Sequence, residues 1–113
     1  MEQIPQYKII YTETAMLDIE EKADYIQIQI QLQEPGLAQS WYSRLREAIQ
    51  QNLTTFPLKY PLYDVEPWRE QGVRLFPAQN DVILYHVEEG EHLVYIRGVC
   101  TKGRDLSAHL EES

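Results

Sequence analysis

The sequence predicts an α+β domain of order β-α-α-β-β-β, with two antiparallel helices packed on one face of a small, mostly antiparallel sheet. Three observations predict it. Tyr7 to Tyr11 (YKIIY) is a short β-branched and aromatic run, two stretches of apolar residues at helical spacing follow it, and Gly72 to Asp105 holds three more strand-like runs divided by turn-forming clusters.

The first strand leads directly to Thr12, whose hydroxyl suits a helix N-cap, with Glu13 favourable in the first turn. Met16, Ile19, Ala23, Ile26 and Ile30 then recur at alternating steps of three and four, which places them on one stripe of a helix from about Glu13 to Gln33. Asp18, Glu20, Glu21 and Lys22 are expected on the opposite, solvated face. The run IQIQIQLQ from Ile26 to Gln33 also fits a period of two, so a strand is the alternative for the last turn.

Pro35 and Gly36 interrupt the pattern. Leu37, Trp41, Leu45, Ala48 or Ile49, Leu53 and Phe56 then recur at helical spacing until Pro57 stops them, which makes a helical hairpin joined by Glu34-Pro35-Gly36. Pro57 to Gln71 carries Pro57, Pro61 and Pro67 and no sustained periodicity. It reads as a long ordered loop, a feature that points to a role in shape or binding.

The last three strands are Val73 to Phe76, Val82 to Val87 and Leu93 to Val99, and the polar turn Glu88-Glu89-Gly90-Glu91 joins the second and third in a hairpin. Along them Ile83, Tyr85 and Val87 alternate with Val82, Leu84 and His86, and Val94 and Ile96 alternate with Tyr95 and Arg97. An arginine is rarely buried without a partner. Tyr95 and Arg97 are therefore expected on the face away from the helices, with His86 beside them and Leu84 as an apolar residue there, while Val94 and Ile96 face the helices.

With 113 residues the chain is expected to form one domain, residues 1–113, with one compact core. Its formal charge of −8 opposes non-specific adhesion to nucleic acid or anionic membrane. Against that background, four of the ten basic residues (Arg74, Arg97, Lys102 and Arg104) lie between Gly72 and Asp105, so a polyanion would have to be met by this local patch. Cys100 is the single cysteine, which excludes an intramolecular disulfide and a cysteine cluster for zinc. No metal or cofactor is implied. A reducing cytoplasm is the simplest compartment, since no apolar run approaches roughly 18 residues and the start lacks the basic and apolar regions of a signal peptide.

The element order, together with YxIxYTxxAxxDI at Tyr7 to Ile19, FP at Phe56 and Pro57, GVR at Gly72 to Arg74, NDVILYHV at Asn80 to Val87 and VYIRGV…GRD at Val94 to Asp105, resembles the RelE/ParE superfamily of toxins from bacterial type II toxin–antitoxin modules. The resemblance covers nearly the whole chain. It implies a curved sheet, a cognate antitoxin that wraps the domain, and one of two targets: DNA gyrase for ParE-like members, or messenger RNA in the ribosome for RelE-like members.

Cleavage of RNA through its 2′-hydroxyl needs a proton acceptor, a proton donor and cations for the developing phosphorane charge. The resemblance makes Arg74, Arg97, His86 and Tyr95 the catalytic candidates. Val82 stands just before ILY, where many ribonuclease members carry an arginine, and Cys100 to Asp105 replaces their terminal His-Tyr ending with the basic and acidic turn common in ParE-like members. A ParE-like gyrase inhibitor or weak relative is therefore the expected activity. The alternatives are a RelE-like endoribonuclease and a non-toxic interaction module that keeps only the fold.

Each candidate also has a plain structural reading. Arg74 and Arg97 could pair with Glu70, Glu88 or Glu91, and His86 could be a packed or hydrogen-bonded surface histidine. Tyr85, on the face opposite Tyr95, is expected in the core, and Cys100 as a small buried apolar residue. Lys102 and Arg104 either solvate the tail or form a partner-binding turn beside Asp105. Trp68 is either a lid over the core or an exposed partner anchor. An extended or helical antitoxin segment would cover apolar residues such as Leu84 on the open sheet face.

Overall fold

The computed structural model describes residues 4–30 and 36–111. Its elements are β1 (Lys8–Tyr11), α1 (Glu13–Ile30), α2 (Leu37–Leu53), β2 (Arg74–Ala78), β3 (Asp81–Glu88), β4 (Leu93–Thr101) and α3 (Leu106–Glu111). The expected β-α-α-β-β-β order is present, and α3 adds a short helix where the sequence suggested only a tail. Gln31 to Gln33 and the Glu34-Pro35 part of the connection lie outside the described residues.

The sheet has the order β1-β4-β3-β2. β2, β3 and β4 are antiparallel, whereas β1 runs parallel to β4, with Ile9 opposite Val94 and Tyr11 opposite Ile96. A parallel pair needs a crossover longer than a tight turn, and the helical hairpin forms part of it. The β3–β4 ladder shifts register between Leu84 and Tyr85, which face Gly98 and Ile96. Arg97 is thus the extra residue of a β-bulge, the kind of local break that re-aims a side chain.

Alternation along the strands divides the interior in two. On one side Ile83, Tyr85, Val94, Ile96 and Val99 pack with Ala15 and Ile19 of α1 and Leu45, Ile49 and Leu53 of α2. On the other side Leu84 and Cys100 pack with Trp68, Val73 and Leu110. The second sheet face is therefore not open along its length. The proline-rich loop and α3 cover part of it.

The loop does so because it is anchored to the β2 edge. Tyr63 N–H donates to Val73 O at 2.8 Å, Leu75 N–H donates to Pro61 O at 3.0 Å, and Leu62 bridges Arg74. These bonds occupy strand-edge groups that would otherwise be a pairing hazard. The loop's role in shape is thereby explained.

Helix α1 begins as expected, with Thr12 Oγ1 accepting the Ala15 N–H at 3.2 Å and donating to Ile96 O at 2.9 Å. Its buried stripe differs from expectation. Ala15, Ile19 and Ile26 define it, and Met16, about 80° round the helix from their mean direction, is 56% exposed. Asp18 and Lys22 are not on the solvated face with Glu20 and Glu21: Asp18 bonds the Val99 N–H and Lys22 pairs with Asp81. Phe56, beyond the end of α2, is 58% exposed.

Candidate functional site

Three of the sequence-predicted residues meet on the outer sheet face. His86 and Tyr95 are cross-strand partners, and their rings stack with centroids 5.0 Å apart and planes 16° from parallel. Arg97, the bulge residue, donates from Nη1 to Gln71 Oε1 at 3.1 Å and lies 6.0 Å above the Trp68 ring. The pairing with Glu70, Glu88 or Glu91 considered for Arg97 is thus replaced by an amide and an indole.

This group has a defined electrostatic character. Burial lowers the His86 pKa, the Arg97 charge lowers it further, and Glu88, with Oε1 3.7 Å from Nε2, opposes both. His86 is accordingly held neutral at physiological pH, and its Nδ1 is buried with no hydrogen-bond partner among the described residues. Burial also lowers the Arg97 pKa, yet a guanidinium stays charged. The site combines one cation, one neutral imidazole and one phenol.

Arg74 is not part of it. It sits opposite Tyr85 and shares the strand parity of Phe76, so it faces the helix side, where Nη1 donates to Leu58 O at 3.2 Å and Tyr60 O at 2.6 Å. The inward Phe76 two residues on is the signal that could have separated Arg74 from Arg97. Tyr85 is fully buried, donates its hydroxyl to Pro57 O, and has its pKa raised by desolvation.

The partner-binding candidates also redistribute. Trp68, 8% exposed, is a lid over the second core rather than an exposed anchor, and Leu84, at 0%, lies beneath that lid instead of on an uncovered face. Their burial follows from the loop anchoring described above. Lys102 and Arg104 are exposed and flank Gly103, whose φ of +91° makes the turn, with the Lys102 N–H donating to Asn80 O at 2.9 Å. Asp105 does more than end that turn: its Oδ1 accepts the Ala108 N–H at 3.1 Å and caps α3.

Sequence reasoning missed Asp18 and His109, whose Oδ2 and Nε2 are 2.7 Å apart. Nothing local in either stretch announces a contact between residues so distant in the chain. Among the described residues no group of three His, Cys, Asp or Glu side chains could hold a metal ion, and no helix is long and apolar enough to cross a membrane.

Neither a protein-family model nor a curated protein matches the chain. Solved structures do. A chain of the toxin–antitoxin complex RelBE2 from Mycobacterium tuberculosis aligns with a TM-score of 0.63 and 16% identity, over 92% of this chain and 100% of that one. A chain of the chromosomal ParDE toxin–antitoxin system from P. aeruginosa aligns with a TM-score of 0.67 and 14% identity, over 85% of this chain and 96% of that one. The mixed sheet, the helical hairpin on one face and the coverage of both relatives lead to one conclusion: this chain has the RelE/ParE-like toxin fold.

Proposed function

We propose that the whole chain is the toxin domain of a type II toxin–antitoxin module of the plasmid-stabilisation kind, acting in the cytoplasm and neutralised by a cognate antitoxin. The observation that carries this reading is the likeness, over 85% and 92% of the chain, to chains of two toxin–antitoxin systems. A ParE-like action on DNA gyrase is the favoured activity. Its support is the composition of the outer face, where Arg97 stands with His86 and Tyr95 while Arg74 is engaged on the opposite side. One guanidinium is a thin provision for a pentacoordinate phosphorane, and a chain of charge −8 approaches RNA against repulsion.

The stacked His86–Tyr95 pair beside Arg97 favours a second reading, ribosome-dependent mRNA cleavage, with neutral His86 as proton acceptor and Tyr95 as donor. Purified protein added to a gyrase supercoiling assay and to a programmed-ribosome cleavage assay separates the two. Loss of supercoiling without RNA cuts supports the ParE-like action. Codon-specific cuts that disappear in His86→Gln and Arg97→Ala support the second. Absence of both, with no growth arrest on expression and no small co-purifying protein from an adjacent reading frame, leaves the non-toxic interaction module.

A further inference from the structure

A cavity of about 650 Å³ lies between α1, the end of β4 and α3, and it shares no residue with the outer-face cluster. Two of its polar contacts are committed to the fold. Lys22 pairs with Asp81, which also accepts the Trp41 Nε1–H at 3.0 Å. Asp18 Oδ2 accepts the Val99 N–H at 2.9 Å and meets His109 Nε2 at 2.7 Å. An ionised carboxylate only accepts, so Nε2 carries the proton. His109 therefore holds one orientation in the wall, with Nδ1 as acceptor when neutral and donor when protonated.

Two cations in the same cavity are uncommitted. Lys102 and Arg104 stand on either side of Gly103, and neither side chain makes a hydrogen bond or ion pair among the described residues. Two uncommitted cations lining one concave surface are an exception in a chain of charge −8, and they counter the general repulsion of anions there. Glu21 and Tyr25 complete the rim, the Tyr25 residue being 61% exposed.

We propose that this cavity binds a nucleoside monophosphate, with the phosphate on Lys102 and Arg104 and the base against Tyr25. A guanidinium fork matches two phosphate oxygens and an ammonium supplies a compact charge for the third. An exposed phenol ring offers a face on which any base stacks. Glu21, in the same lining, supplies a carboxylate acceptor for ribose hydroxyls. The volume lies within the roughly 300–1,000 Å³ of small-molecule sites. Cys100 in the wall does not oppose the anion, since burial, followed by the Asp18 charge, pushes its thiol up to about 11 and keeps it protonated. This inference does not depend on the toxin reading.

Titration of the ¹⁵N-labelled full chain with AMP, adenosine and inorganic phosphate tests it. AMP is expected to move the amide signals of Lys102 to Asp105 and of Tyr25, and adenosine to bind at least about tenfold more weakly, the loss that accompanies charge-assisted hydrogen bonds. The double variant Lys102→Ala/Arg104→Ala, confined to an exposed turn, should weaken AMP binding by about tenfold or more while the amide spectrum elsewhere is unchanged. Tyr25→Ala should weaken AMP about tenfold and leave inorganic phosphate unaffected. Equal binding of AMP and adenosine, signal changes confined to other residues, no binding at millimolar AMP, or wild-type affinity in the double variant would each overturn the proposal.

Discussion

Asp18 and His109 are separated by 91 positions in the chain, and their side chains lie 2.7 Å apart. The contact fastens α3 to α1 across a stretch of β4 that pairs with β3 on one edge but has no strand on the other, because β1 ends at Tyr11 opposite Ile96. Asp18 substitutes for the missing strand by taking the Val99 N–H. Replacing it with Ala removes the acceptor from two donors at once, so Asp18→Ala is expected to cost about 2–3 kcal/mol in urea unfolding. Asp18→Asn, which keeps one carbonyl acceptor, should cost less. A double-mutant cycle with His109→Ala should give a coupling of about 1 kcal/mol or more. Additive effects would show that α3 is held by Leu110 and Leu106 alone.

The same locus constrains Gly98. A Cβ at this position would stand 3.1 and 3.2 Å from two atoms of the His109 ring and 3.4 Å from Asp18 Oδ2. The ring cannot retreat without losing Asp18, so Gly98→Ala is expected to destabilise by about 1–3 kcal/mol. In a His109→Ala background the clash is gone, and the same substitution should cost less than about 0.5 kcal/mol. An equal cost in both backgrounds, read from chemical denaturation, would assign the glycine to backbone geometry rather than to the ring.

Arg74 and Arg97 should behave as different kinds of residue. Arg74 supports the carbonyls of Leu58 and Tyr60 and so holds the start of the loop that lines the β2 edge. Arg74→Ala is expected to lower stability by about 1–3 kcal/mol, since two carbonyls lose a charged donor. Arg97→Ala loses one bond to Gln71 and a contact with Trp68, and should change stability by about 1 kcal/mol or less. On the toxin function proposed above, toxicity measured at equal soluble protein should fall with Arg97→Ala and persist with Arg74→Ala. The reverse pattern would move the functional surface to the helix side.

What was legible in the sequence was whatever a local period encodes. β1 with its Thr12 cap, the helical hairpin and the β3–β4 hairpin each bury one face through residues that neighbour one another in the chain, and alternation alone placed His86 and Tyr95 together. The second core was not legible. It depends on an aperiodic loop folding back to set Trp68 over Leu84, and on a helix of six residues that is too short to display a period. Charged residues misled for a related reason: Asp18 and Lys22 read as solvent-facing because their partners, Val99, His109 and Asp81, come from distant strands and α3. Alternation placed Arg97 on the outer face with Tyr95, but it does not contain the bulge at Arg97, after which Val99 turns to the helix side and Cys100 to the other.

His86 gives the fold a pH dependence whose sign follows from its surroundings. Burial and the Arg97 charge lower its pKa in the folded chain below the ordinary 6.5, so over that interval the unfolded chain binds the proton more readily. Stability from this residue is thus fully present above about pH 6.5 and is lost as pH falls through the folded pKa, where the slope ends. The difference between wild type and His86→Gln isolates the contribution of this residue. The wild type should lose more stability than the variant between about pH 7.5 and about pH 5. Arg97→Ala removes the second cause and should raise the His86 pKa, which NMR titration of the ring protons reads directly. A His86 pKa at or above 6.5 in the wild type, or one unmoved by Arg97→Ala, would mean that the imidazole is more hydrated than its stacking on Tyr95 implies, and the assignment of a neutral His86 to the outer-face site would fail with it.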